Sequence, residues 1–373
     1  MVYLDYAATT PLDSEVLNTY TTLLKSLFGN PDSIHTVGVE ASRLLEQARG
    51  HIIDSLHLIK KDIIFTSGAS ESNNLALKGV VLGQNKKHII TTNIEHASII
   101  HTCQQLEKYF GCKVTYLPVN EQGVVTVEQV ERAICEDTAV VSIMAVNNEV
   151  GSINPIHEIG KMLHERHRGI LFHCDLVQAV GKIPLSLEYV DMGTISAHKI
   201  HGLKGSGILF KPASLYLEPV ICGGEQERGM RGGTINAPAQ IVLAKTLRKA
   251  LTAQPKAYKH VSELNQYLRN TLSQVEGVKV HSPVNGSPFI FNFASPVPSE
   301  IMMNSLQSAG FMVSAKSTCS SQEQSASHVL VALGISLEEA DHTIRVSMHE
   351  EVSHKDIESF VKQVITTIEK FVK

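Results

Sequence analysis

The feature that most limits how this chain can fold is a series of short apolar segments, each ending in small polar residues. The clearest is 139–146, apolar apart from Ser142, which suits a central parallel strand buried on both faces. Others at 63–66, 87–92, 114–117, 170–174 and 192–196 read as strands, and helical patterns fall between them, as at 127–135. Strand–helix alternation of this kind builds an open α/β sheet. Ligands of such sheets sit beyond the carboxyl ends of the strands, so the residues just past each apolar run are the candidate functional ones.

Lys199 follows 192–196 within Ser-Ala-His-Lys-Ile-His-Gly-Leu-Lys-Gly (196–205), among small residues and beside imidazole. A lysine in a turn is ordinarily just solvated, but one held here becomes a Schiff-base nucleophile if its pKa is lowered. Asp175 ends the run 170–174, where a carboxylate can pair with a ring nitrogen and keep it protonated. That pairing, with a Schiff-base lysine, is what pyridoxal phosphate needs as an electron sink. The strand at 63–66 runs into Ser-Gly-Ala-Ser-Glu-Ser-Asn-Asn (67–74), where a helix begins. A glycine-containing strand-to-helix turn leaves free N–H groups at the positive end of a helix dipole and can seat a phosphate. Alone, an S-G-x-S turn is a weak sign of one.

His-Cys-Asp-Leu-Val-Gln-Ala-Val-Gly-Lys (173–182) followed by Ser-Ala-His-Lys (196–199) resembles the class V, fold-type I pyridoxal-phosphate enzymes. Within them the chain is similar to the cysteine desulfurases of the NifS/IscS type. Further motifs occur in family order from Leu4 to Ser347: Leu-Asp-Tyr-Ala-Ala-Thr-Thr (4–10), Gly-Asn-Pro-Asp-Ser-Ile-His (29–35), Glu-His-Ala-Ser (95–98), Asn-Asn-Glu-Val-Gly (147–151), the glycine-rich 223–236, and Ile-Arg-Val-Ser (344–347). Asp32 and Ser70 depart from the family's usual residues, and Ser70 keeps the hydroxyl of the usual threonine.

The resemblance implies a large domain with a mostly parallel central sheet flanked by helices (15–255). A smaller α+β domain is expected from 1–14 and 256–373, the chain leaving the large domain where Pro255 interrupts a helical pattern. It implies that Lys199 binds the cofactor, Asp175 salt-bridges its ring nitrogen and Gln178 bonds its ring hydroxyl. His96 is expected to stack on the ring and move protons. Ala69, Ser70, Ser196 and His198 are expected to hold the phosphate, with Thr234 reaching in from a second subunit, which makes the protein a homodimer. Asn148 is placed near cofactor and substrate, and Arg345 binds the carboxylate of L-cysteine in a fork.

Residues 315–328 are dominated by small polar side chains, the composition of a flexible loop. A cysteine there is unusual, since cysteine is normally buried. Cys319 matches the family's nucleophile, which takes sulfur from L-cysteine, releases L-alanine and carries a persulfide to an acceptor, an iron–sulfur scaffold or a tRNA-thiolation enzyme. Lys316 and Thr318 stand where glycine and alanine are usual, and the Lys316 charge favours thiolate. Two other readings stay open: a different class V enzyme, such as a selenocysteine lyase or an aminotransferase, and a non-catalytic sulfur-relay partner. An aminotransferase would have no need of Cys319.

Composition narrows the field. The 373 residues are 43% hydrophobic and 19% charged with a net charge of −4, which invites neither nucleic acid nor an anionic membrane. No targeting segment and no apolar run of about 18 residues occurs, so a cytoplasmic location is expected. The six cysteines show no metal-site spacing, and no strand runs into the G-x-G-x-x-G of a nicotinamide enzyme.

Overall fold

The computed structural model describes residues 1–315 and 327–372. Its strands, in chain order, are β1 (Val2–Tyr3), β2 (Lys61–Thr66), β3 (His88–Thr92), β4 (Lys113–Leu117), β5 (Thr138–Ser142), β6 (Leu171–Asp175), β7 (Met192–Ser196), β8 (Gly207–Pro212), β9 (Lys279–Val280), β10 (Ile290–Ala294), β11 (Phe311–Met312) and β12 (Thr343–Ser347). The main sheet has the order β2-β8-β7-β6-β5-β3-β4. All its pairings are parallel except those of β8, which runs antiparallel to both β2 and β7. A smaller antiparallel sheet joins β12, β10 and β9, and β1 pairs with β11.

The apolar runs are continuous because both faces of the main sheet are covered. Ile64, Ile89, Val140, Met192 and Leu209 enter one buried cluster with Leu75, Ala76 and Val80 of the helix Ala69–Gly83. Their neighbours Ile63, Ile90, Val141, Ile195 and Ile208 enter the cluster on the opposite face, which follows from the two-residue period of a strand. The polar residue inside the central run has a partner: Ser142 Oγ lies 2.9 Å from His173 Nδ1, and His173 Nε2 lies 3.0 Å from Thr194 Oγ1. One neutral imidazole thus links β5, β6 and β7, its pKa pushed down to about 3 by burial.

The expected break at Pro255 is absent. The helix Ala237–Leu272 runs through it, with Val242, Leu243 and Leu247 buried before the proline and Ala257, Val261 and Leu264 after it. Packing on both sides outweighs the local cost, and Pro255 itself is exposed. The C-terminal helix His354–Val372 buries Ile357, Phe360, Val361, Val364 and Ile368, as its spacing predicts, and Ser353 Oγ accepts the N–H of Asp356 at its start. No helix among the described residues is long and apolar enough to cross a membrane.

Two strand ends meet at Gly207, the first residue of β8, which pairs with Thr66 of β2 and with Ser196 of β7. A Cβ on Gly207 would lie 2.6 Å from Gly68 Cα and 2.9 Å from Ile195 O. Gly207→Ala is therefore expected to destabilise the protein by about 1–3 kcal/mol through overpacking. Denaturant unfolding reads this, and an unchanged midpoint would show that the approach is not as tight as described.

Candidate active site

The carboxyl ends of β2, β6 and β7 open onto one cavity of about 460 Å³. The chain past β5 reaches the same place. Ile143 and Ala145 continue its bonding to β6, donating to His173 O and Asp175 O at 3.0 Å each. Asn147 then caps the turn from within, its Oδ1 accepting the N–H groups of Glu149 and Val150, and Asn148 lines the cavity.

At the end of β2, Gly68 adopts φ +148 and the helix Ala69–Gly83 begins with no side-chain cap. Among the described residues, the N–H groups of Ala69, Ser70 and Glu71 have no hydrogen-bond acceptor. Ser67, Ser70, Ser196, His198 and Lys204 line the cavity around them. His198 stays neutral, its pKa pushed down to about 4 by burial and by Lys199 and Lys204, and Thr9 Oγ1 lies 3.1 Å from its Nδ1. Open N–H groups, hydroxyls and a lysine at a helix N-terminus form a donor set that fits a phosphate.

Asp175 occupies another part of the wall. Its Oδ2 accepts from Asn73 Nδ2 at 2.8 Å and its Oδ1 from Val177 N at 3.0 Å. Asn73 Nδ2 also reaches Ser98 Oγ at 2.9 Å, and Ser98 Oγ lies 2.9 Å from His96 Nδ1. Since Ser98 N–H also donates to Nδ1, the proton of the neutral ring belongs on Nε2. Burial is the main cause that lowers the pKa of His96. Asn73 and Ser98 lie inside the motifs 67–74 and 95–98, but nothing in the sequence assigns them a role. Asn73 lies three residues beyond Ser70, so helical spacing puts it on the cavity side.

Lys199, in the short turn after β7, donates Nζ to Ala7 O at 2.7 Å and Ala8 O at 2.8 Å. The N-terminal segment thus forms part of the cavity wall. Gln178 donates Nε2 to Ala7 O at 3.0 Å and accepts Lys182 Nζ on Oε1 at 2.5 Å. Arg345 of β12 closes the cavity, donating to Asp5 Oδ1 at 2.9 Å and to Asn148 O at 3.1 Å. Its buried Nε has no partner among the described residues.

Of the expected site residues, Ala69, Ser70, His96, Asn148, Asp175, Gln178, Ser196, His198, Lys199 and Arg345 share this cavity. Thr234 does not line it and is exposed. Its glycine-rich stretch is tied down by Glu227, which accepts from Phe65 N at 2.8 Å and from both terminal nitrogens of Arg49. Asp32, one of the departures from the motif, accepts from Gln226 of that stretch at 2.7 Å. Cys319, Lys316 and Thr318 lie outside the described residues. Ser314 and Ser327, the described serines on either side of that stretch, bond to Arg345 backbone and to the Glu149 carboxylate. Cys103, Cys112 and Cys174 are buried, and burial raises each of their pKa values.

Residues 2–360 match the family Aminotransferase class-V. Cysteine desulfurase IscS of Dictyoglomus turgidum is 39% identical over 376 residues, covering 99% of this chain and 95% of that protein. A solved structure described as a NifS-like protein superposes with a TM-score of 0.91 at 35% identity, over 99% of this chain and 100% of the other. Another, described as SspA in complex with cysteine, has a TM-score of 0.81 at 32% identity, over 93% of this chain and 99% of the other. With this cavity at the strand ends and these full-length likenesses, the chain belongs to the class V aminotransferase family and, within it, to the cysteine desulfurases, a group of pyridoxal-phosphate enzymes.

Proposed function

We propose that this desulfurase holds pyridoxal phosphate with its phosphate at the turn of Ala69 and Ser70, its ring nitrogen at Asp175 and its reactive carbon at Lys199. The observation that carries the reading is the convergence of an uncapped helix N-terminus, a buried carboxylate and a lysine amine on one cavity. The donor set suits the cofactor's three polar ends, and Gly68, with only Ser196 Oγ at 3.8 Å from where a Cβ would lie, leaves room beside the phosphate seat. When bound, the cofactor supplies an electron sink. The remaining chemistry falls to the chain.

L-Cysteine enters beside Ala7 and Ala8, and Arg345 and Asn148 hold its carboxylate. The partnerless Nε of Arg345 supports this, as does the bound cysteine named for the related SspA structure. Ser98 keeps His96 Nδ1 occupied, so any proton that His96 moves passes through Nε2. The Cys319 thiolate attacks the substrate sulfur; the S–S bond forms as the C–S bond breaks, the carbon takes a proton and L-alanine leaves. The sulfur stays on Cys319 as a persulfide for an iron–sulfur scaffold or a tRNA-thiolation enzyme, in a cytoplasmic setting where thiols remain reduced. Ser314 is bonded to the backbone of Arg345, which lines the cavity, and Ser327 to the carboxylate of Glu149, next to Asn148 in the cavity wall.

The same reading makes the enzyme a homodimer in which Thr234 completes the partner's phosphate seat, and it divides the chain into a large domain (15–255) and a small one (1–14 with 256–373). Phe28 and Ile34 are 80% and 99% exposed, and Val220 and Ile221 are exposed beside the glycine-rich stretch. Apolar surface of this kind is commonly covered by a second subunit.

Three outcomes are expected. Lys199→Ala should lose the borohydride-reducible cofactor linkage, and linkage that persists at the active site would remove Lys199 from its role. Cys319→Ser should still bind cysteine and shift the cofactor spectrum but lose alanine formation by orders of magnitude, because serine is a poor nucleophile at neutral pH; alanine assays at the wild-type rate would contradict this. Sedimentation should find a dimer, and a fully active monomer would end the shared-site reading.

A further inference from the structure

Lys182 does not line the cavity, yet it lies directly behind it against Gln178. Its side chain is 3% exposed, and among the described residues its Nζ has one hydrogen-bond partner, Gln178 Oε1 at 2.5 Å. Among the described residues no carboxylate pairs with it. The charged groups acting on it are Lys199 and Arg345, and His198, His201 and His349 feel its charge in turn. Burial and these two cations push its pKa down to about 7. A buried lysine is normally paired or lets its amine reach water. Here, whenever Lys182 carries its proton, the charge faces the cavity through a single amide.

An ammonium only donates, so charged Lys182 turns Gln178 Oε1 toward itself and keeps Nε2 on the side of Ala7 O and Lys199. A free glutamine amide has no such preference. We propose that Lys182 is a positioning residue that fixes the Gln178 amide so that Nε2 is offered to the cofactor's ring hydroxyl, and that its positive charge favours that hydroxyl as the oxyanion. The inference rests on the reading of the cavity as a pyridoxal-phosphate site. Lys182 touches neither substrate nor cofactor and acts through Gln178.

The test compares wild-type holoenzyme with Lys182→Met and Lys182→Gln, titrating the visible absorption band of the lysine-bound cofactor against pH. Removing a nearby cation favours the protonated form, so both variants should titrate about one pH unit higher than wild type. Lys182→Gln keeps a donor toward Gln178 and should retain cofactor affinity better than Lys182→Met; it also serves if the apolar variant does not fold. A merely structural lysine would lower the unfolding temperature and leave the titration in place. Cofactor that binds both variants with an unmoved titration overturns the role of Lys182. Wild-type protein that fails to bind the cofactor overturns the cavity reading itself.

Discussion

Everything at the active site depends on one contact between two backbones. Gly207 of β8 is flanked by Thr66 at the end of β2 and Ser196 at the end of β7, and it nearly touches Gly68. Because β8 is antiparallel to both, β2 and β7 point the same way, and their ends fall on one edge of the sheet. That edge then carries the uncapped helix start after β2 and the lysine after β7. A side chain at Gly207 would push the two apart and separate phosphate donors from amine.

The electrostatic layout follows from the same edge. Positive ends gather on one side, with the N–H groups of Ala69 and Ser70, and Lys204 at the rim. The negative charge of Asp175 sits apart from them, held by Asn73 and Val177 N–H. Asn73 is shared between that carboxylate and Ser98, which in turn fixes His96. Proton position at the imidazole and charge at the carboxylate are thus set through one amide. Arg345 joins the small sheet to this edge, since β12 also pairs with β10 while Arg345 bonds Asp5 and Asn148.

Much of this could be read in the residues. The apolar runs marked β2, β3, β5, β6 and β7, and the polar residues past them are the cavity wall. What could not be read was direction and distance. The stretch 205–209, Gly-Ser-Gly-Ile-Leu, says nothing of whether β8 is parallel or antiparallel, and the reversal is what places Gly207. Pro255 looked like a break because its local cost is visible in sequence, whereas the packing that carries the helix past it comes from residues far apart in the chain. Asn73, Ser98 and Lys182 were hidden for a related reason. Each acts on a neighbour, and an amide or amine that supports another side chain has no signature of its own. Lys204 belongs to the motif 196–205, but only the folded turn brings it to the rim.

The imidazole bridge beneath the site has a cost in acid. His173 holds Ser142 and Thr194 only while neutral, and its pKa in the fold is about 3 against an ordinary value of 6.5. Above pH 6.5 the folded and unfolded chains both leave it neutral and no stability is at stake. Between 6.5 and 3 the unfolded chain takes up a proton that the folded one refuses, so stability drains away as pH falls. The sheet centre that presents Asp175 to the cavity is therefore also an acid-labile point of the fold. The strands that position the carboxylate are among those that proton uptake by the unfolded chain would pull apart.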